Sequence, residues 1–120
     1  MTSSLEASEA LAAEGATAPR ISLEDIYSEI AQCYYITGDR VAGHANHIDY
    51  ETRAVRKAEL GVFTICMMVL SSGFIVVGRS SPISPENFDE SKGRTFAYEE
   101  CIRQLWPLFA FAAKQGRISP

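Results

Sequence analysis

The sequence is poor in the residues on which catalysis usually depends. Its 120 residues include two histidines, one tryptophan and three cysteines. With so few histidines, no Ser-His-Asp or Cys-His arrangement can be assembled, and neither a GxSxG nor a Walker-type loop occurs. The carboxylates show no spacing that is typical of an acid–base pair. The sequence therefore predicts no catalytic residues, no enzyme activity and no cofactor.

The cysteines and histidines do not form a metal-ligand pattern. Cys33, Cys66 and Cys101 are scattered without a CxxC spacing, which is typical of reduced thiols that pack as small hydrophobic groups in a cytosolic protein. His44 and His47 have an HxxH spacing, but their segment has little helical character, so two exposed loop histidines are the simpler interpretation. No metal site is predicted.

Basic residues are also in the minority. The chain has 11 basic and 15 acidic residues, for a net charge of −4, and this balance argues against a broad nucleic-acid surface, which is normally basic. Arg53, Arg56 and Lys57 form a local basic cluster. On that cluster alone, a DNA-associated replication or recombination accessory protein stays an alternative.

The N-terminal 20 residues lack the pattern of a well-packed element. They are rich in Ala, Ser, Thr and Glu, which predicts a mobile acidic tail over residues 1–20, with a frayed helix around Leu5–Ala13 as the alternative. Their acidic character does not fit a secretory signal peptide. A single α+β domain is predicted for residues 21–120, because about 100–150 residues make one ordinary domain.

Long uncharged runs are scarce, and the one at residues 60–78 spans 19 residues. That length is close to the roughly 20 residues that cross a bilayer. Ser71-Ser72-Gly73 interrupts the run, and Val, Ile, Phe and Thr dominate both halves, which indicates two strands and a turn rather than a membrane helix. The predicted antiparallel β-hairpin covers about residues 62–80, and no membrane partner is expected.

The predicted hairpin turns at Ser72-Gly73, because glycine supplies the positive φ that a two-residue turn requires. This register pairs Val69 with Val76 and Met67 with Gly78. Both faces of the hairpin are apolar, so we expect one to be covered by a helix and the other by the first helix or a second subunit. The sequence therefore predicts a homo-oligomer.

An amphipathic N-terminal helix is predicted ahead of the hairpin. Ser22 is a candidate N-cap with Asp25 three residues later, in a position like that of a capping box. Apolar residues then recur at helical spacing from Leu23 to Tyr34, and Gly38 is the predicted stop. Residues 38–58 carry no clear period, and a short helix and an edge strand stay alternatives for the end of that segment.

A long C-terminal helix is predicted after the hairpin. Ser84 is the expected N-cap, because a proline follows it directly, and Pro107 is expected to kink or break the helix. Gly93, Ala97 and Cys101 recur at a spacing of four. This line of small side chains predicts a close approach between the helix and another backbone, most simply that of the hairpin.

The bend between the second strand and this helix is the strongest candidate for a binding site. The first amides of a helix lack intrahelical partners and attract anions, and arginine side chains add charge-assisted hydrogen bonds to phosphate. An ordinary helix cap stays the alternative. The predicted ligand-binding residues are Arg79, Ser80, Ser81, Ser84, Asn87 and Arg94.

The segment Thr64–Phe111 resembles a family of small phage proteins, grouped under the forty-ninth gene product of coliphage N-four and gene sixty-six of a Shigella phage. The shared pattern starts with a cysteine-bearing strand and a turn. It continues through Gly73-Phe74, Gly78, Ser80, Pro85, Asn87-Phe88-Asp89, Gly93-Arg94, Ala97 and Trp106-Pro107-Leu108. The resemblance implies a phage or prophage origin and supports the fold and the bend, but it implies no particular biochemical activity.

The sequence departs from the family pattern at three positions in and before the bend. Family members tend to have asparagine in place of Ser72, an acid in place of Arg79 and often cysteine in place of Pro82. A role for that acid or that cysteine would therefore not carry over to this chain.

A phage accessory protein that acts by binding in the host cytoplasm is the expected function. The more specific hypothesis is counter-defence, in which the bend sequesters a nucleotide-like signalling molecule through its phosphate. A protein that inhibits a host enzyme by direct contact is the alternative from a different class.

Overall fold

The computed structural model describes residues 4–14, 20–46 and 57–116. The elements in chain order are α1 (Ser4–Ala13), α2 (Leu23–Tyr27), β1 (Ile30–Thr37), α3 (Gly38–Gly43), α4 (Lys57–Leu60), β2 (Thr64–Leu70), β3 (Ile75–Ser80), a 3₁₀ turn (Pro85–Asn87) and α5 (Glu90–Lys114). An antiparallel sheet with the order β1-β2-β3 packs against α5. The predicted α+β class is confirmed. None of the described helices has the length and apolar content needed to cross a membrane.

The predicted hairpin is confirmed as β2 and β3, but its register is wrong by one residue. Met67 pairs with Val77, and Val69 pairs with Ile75. The cause is a three-residue loop: the Leu70 amide donates to the Phe74 carbonyl at 2.9 Å, and Gly73 occupies the last loop position with φ 91°. A glycine at positive φ ends loops of this length as readily as two-residue turns.

The predicted N-terminal helix is correct at its start and wrong in its second half. The Ser22 hydroxyl accepts from the Asp25 amide, and the Asp25 carboxylate accepts from the Ser22 amide, so the capping box is present. The helix ends at Tyr27, however, and Ile30–Thr37 forms strand β1 beside β2. Pairing with β2 prevails there over the helical spacing, in a segment whose isoleucines, tyrosines and threonine suit a strand.

The C-terminal helix begins later than predicted. Asp89, not Ser84, is its N-cap, and the Asp89 carboxylate accepts from the Lys92 amide at 3.0 Å. Ser84 instead precedes the 3₁₀ turn and makes no capping hydrogen bond through its side chain. The helix continues through Pro107 to Lys114, so the predicted break does not occur.

The predicted close approach of α5 to the hairpin is confirmed. Gly93, Ala97 and Cys101 are all buried, and Gly78 of β3 lies directly against the α5 backbone. Around this contact the core contains Leu5, Ile21, Leu23, Ile26, Cys66, Met68, Leu70, Val76, Ala97, Cys101, Ile102 and Leu105. On one side of the sheet, α5 therefore covers β2 and β3, and α2 and the buried Leu5 of α1 pack beside it.

Candidate functional site

A surface cavity of about 120 Å³ opens where β3 ends and α5 begins. We refer to it as the β3–α5 cavity. It is lined by Ser80, Ser81, Pro82, Asn87, Phe88, Asp89, Lys92, Gly93 and Phe96. The bend that the sequence singled out is thus an open pocket at the surface.

Half of the predicted binding residues line this cavity. Ser80 comes from the end of β3, Ser81 follows it, and Asn87 comes from the 3₁₀ turn. The 3₁₀ turn closes through a hydrogen bond from the Asn87 amide to the Ser84 carbonyl at 3.0 Å. This turn folds the chain back, and it thereby brings the three side chains around one pocket.

The other three predicted residues are not among those that line the cavity. Arg79 is exposed and belongs to the sheet face opposite to α5. The Ser84 hydroxyl donates to the Glu86 carboxylate, and this bond lowers the pKa of Glu86. Arg94 pairs with Glu90 at 3.3 Å and lines a second cavity, of about 90 Å³, on the β1 side of α5.

Six of the nine lining residues were not among the predicted binding residues, and three of these six, Asp89, Lys92 and Phe96, bring a charge or an exposed ring to the cavity. Lys92 and Phe96 are four residues apart on α5, so they are neighbours on one helical face. The Phe96 ring is 55% exposed beside the cavity. The signal that could have revealed them is this spacing, but it depends on placing the helix start at Asp89 rather than Ser84.

The cavity carries both signs of charge. Lys92 contributes an ammonium group, and the start of α5 contributes the positive end of the helix dipole. Asp89 contributes a carboxylate, one oxygen of which accepts from the Lys92 amide. Hydroxyl and amide groups of Ser80, Ser81 and Asn87 complete the polar lining. The arrangement suits a ligand that has both an anionic group and hydroxyl groups able to donate to a carboxylate.

The described part of the chain holds no group of three or more His, Cys, Asp or Glu side chains placed to bind a metal ion. His44 is exposed just after α3. His47, Arg53 and Arg56 lie outside the described residues, and Lys57, the third residue of the basic cluster, opens α4.

The three cysteines are free and lie near one another between the sheet and α5. Cys66 and Cys101 are fully buried, and Cys33 is partly exposed. The Cys101 thiol lies 3.7 Å from the Cys66 carbonyl oxygen. A hydrogen bond between the two thiols lowers the pKa of Cys66, and the same thiol–thiol bond, together with burial, raises the pKa of Cys101.

The model of the Phage protein (N4 Gp49/phage Sf6 gene 66) family matches residues 21–116. The matched region contains the whole sheet, α5 and every residue of the β3–α5 cavity. No curated protein and no solved structure matches the chain.

Proposed function

Because the chain belongs to the Phage protein (N4 Gp49/phage Sf6 gene 66) family, we propose that it is a phage accessory protein that acts by binding. Its proposed ligand is a nucleotide-like molecule at the β3–α5 cavity. The observation that carries this proposal is the convergence of Ser80, Ser81, Asn87 and Lys92 on one pocket beside the exposed ring of Phe96.

The cavity is large enough for only one part of the proposed ligand. A volume of about 120 Å³ accommodates a phosphate group but not a whole nucleotide. The phosphate would enter the cavity, where Lys92 and the α5 dipole attract it and the serine hydroxyls donate to its oxygens. The rest of the ligand would then lie outside, along the surface of α5.

Phe96 provides a surface for that outer part. Stacking of one base on an aromatic ring contributes about 1–3 kcal/mol, and the ring of Phe96 is open to solvent. The Asp89 carboxylate repels a bare anion, but it can accept a hydrogen bond from a sugar hydroxyl. We therefore expect a nucleotide to bind much more tightly than inorganic phosphate.

Sequestration is the role that fits such a site. Holding a host signalling nucleotide away from its receptor requires affinity and sufficient protein, but no reaction on the ligand. In a phage protein, this would act as counter-defence in the infected cell.

Isothermal titration calorimetry with a panel of cyclic and linear nucleotides tests the proposal. The intact protein should bind at least one of them, and Lys92→Ala should weaken that binding at least about tenfold, or about 1.4 kcal/mol. Phe96→Ala should weaken binding by a similar factor. Arg79→Ala, which removes the same charge outside the cavity, is the matched control and should bind normally. Absence of binding to any nucleotide, or equal affinity of the Lys92 and control variants, would contradict the proposal.

The two alternative functions use other parts of the chain. Inhibition of a host enzyme would use the apolar hairpin face or the N-terminal segment, and a DNA role would use Arg53, Arg56 and Lys57. None of these surfaces contains Lys92 or Phe96. Lys92→Ala and Phe96→Ala should therefore impair the protein only if its function is nucleotide capture, which separates this function from both alternatives.

A further inference from the structure

The sheet face opposite to α5 is open. Its outward side chains are Gln32, Tyr34 and Ile36 on β1, Ile65, Met67 and Val69 on β2, and Ile75, Val77 and Arg79 on β3. We call these nine residues the open sheet face. Met67, on the central strand, is 44% exposed, and Tyr34 and Val77 beside it are 50% and 51% exposed. The described helices therefore leave the centre of this face in contact with solvent.

The open sheet face is as apolar as a sheet face that is normally buried. Seven of its nine side chains are apolar, and the exceptions are Gln32 and Arg79. A sheet that keeps one face in water normally alternates apolar and polar residues, whereas strands that are apolar on both faces are buried on both. A contiguous exposed apolar patch of this kind marks a protein-binding surface.

We propose that the open sheet face is the interface of a homodimer in which two sheets pack face to face. The register places Tyr34, Met67 and Val77 in one row across the three strands. A two-fold axis along β2 stacks β1 of one copy on β3 of the other. Met67 then meets Met67 of the second copy, and the bulky Tyr34 meets the smaller Val77.

Charge and shape both allow this pairing. Arg79 is the charged member of the open sheet face, and it lies at a corner in the row of Ile36 and Ile65. The two-fold axis places its aliphatic stem over Ile36 of the second copy, while the guanidinium reaches water at the rim. No like charges meet at the centre, and the large Tyr34 faces the smaller Val77, as close packing of two layers requires.

Edge-to-edge pairing through β3 is a less favourable way for this chain to associate. β3 is an edge strand, but the Gln104 side-chain amide donates to the Val77 carbonyl at 2.8 Å. That carbonyl is thus already satisfied, which blunts the edge against a new strand. At the β3 side of the sheet, the face rather than the edge is therefore left for self-association.

The area of the face sets the strength of the dimer. With strands about 4.8 Å apart and about 3.3 Å per residue, three strands of about seven residues give a footprint of roughly 330 Å² per copy. Two such footprints fall below the roughly 1,200 Å² at which standard stable interfaces begin. The dimer is therefore reversible and dissociates on dilution.

Sedimentation velocity of the full chain over a wide range of concentrations tests the interface. The intact protein should shift from monomer to dimer as its concentration rises. Met67→Lys should stay monomeric, because the two-fold axis brings the two introduced ammonium groups together. Leu108→Lys, at a similarly exposed apolar position on α5 (47%), is the matched control and should dimerise normally. Circular dichroism should show that both variants are folded.

A second variant keeps the test decisive if Met67→Lys does not fold. Met67→Cys should be joined into a covalent dimer by a short bifunctional thiol reagent, because the two introduced thiols face one another across sheets packed about 10 Å apart. That separation is too wide for a direct disulfide, and the unaltered chain should not be joined in this way. A monomer at every concentration, with or without a captured host protein, would overturn the proposal. So would a dimer that persists in Met67→Lys.

Discussion

Gly78 of β3 lies beneath Ala97 of α5 so closely that a Cβ atom on Gly78 would stand 2.2 Å from the Ala97 carbonyl oxygen and 2.7 Å from the Cys101 sulfur. The helix thus rests on bare strand backbone at this point. This contact joins β3 to the first half of α5. It therefore fixes the distance between the two elements that form the β3–α5 cavity.

Replacement of Gly78 by alanine should destabilise the fold. The nearest atoms belong to the helix backbone and a buried thiol, which cannot move aside cheaply, and overpacking of this kind costs about 1–3 kcal/mol or more. Urea unfolding should report the loss. Gly43→Ala is the control, because nothing lies within 4 Å of its added carbon, and it should be neutral or slightly stabilising. Equal midpoints for the two variants would show that the helix does not sit this close.

Replacement of Asp89 by alanine should cost more stability than replacement of Ser84. Loss of an N-cap side chain typically costs about 1 kcal/mol, and Asp89 caps α5 while Ser84 makes no capping bond. Thermal unfolding of the two alanine variants measures the difference. Asp89→Asn should retain most of the cap and, because it removes a negative charge from the cavity, should narrow the difference in affinity between a nucleotide and inorganic phosphate. A larger loss in Ser84→Ala would place the helix start where the sequence first suggested.

The thiols should differ in their reaction with a disulfide reagent. Cys66 and Cys101 are fully buried, and Cys33 is partly exposed. In the native protein, at most Cys33 should react promptly, and the other two should react only at the rate of unfolding. Addition of denaturant should release all three. Prompt labelling of two or more thiols without denaturant would contradict the burial of this cluster.

Stability should fall at alkaline pH through Tyr98. Burial, and then the neighbouring Tyr27, raise the pKa of Tyr98 to about 12, and the two rings lie 6.4 Å apart between centroids. Since the folded state holds this proton more tightly than the unfolded state, the stabilisation is complete below pH 10 and is lost as pH rises from about 10 to 12. Denaturant unfolding over this range should show the decline, and Tyr98→Phe should make it shallower, while burial also raises the pKa of Tyr27 and of Tyr35 and these contribute the remainder. An identical decline in Tyr98→Phe would assign the effect to other groups.

Local signals in the sequence were sufficient for much of the fold. The Ser22 capping box, the glycine that ends the hairpin loop and the line of small residues on α5 each depend on neighbours in the chain, and each is present. The hairpin register depends on whether the loop has two or three residues, and Gly73 suits both. Strand β1 depends on pairing with β2, which lies some 30 residues away along the chain, so its helical spacing was misleading.

The candidate site was predictable only in part for a related reason. Ser80, Ser81 and Asn87 flank the bend in sequence, and the bend itself brings them together. Lys92 and Phe96 reach the cavity only because α5 starts at Asp89, and the choice between Ser84 and Asp89 depends on the 3₁₀ turn between them. Ser84 and Asp89 lie five positions apart and can both cap a helix, so the local sequence does not decide between them and tertiary packing does.

Pro107 divides α5 into a longer first part and a shorter last part that differ in stability. Pro107 has no amide to donate to the Arg103 carbonyl, and every buried residue of the helix precedes it. Exchange of backbone amides with heavy water should therefore be slow up to Trp106 and rapid from Leu108 onward. The final turns would open and close many times while the rest of the helix stays shut.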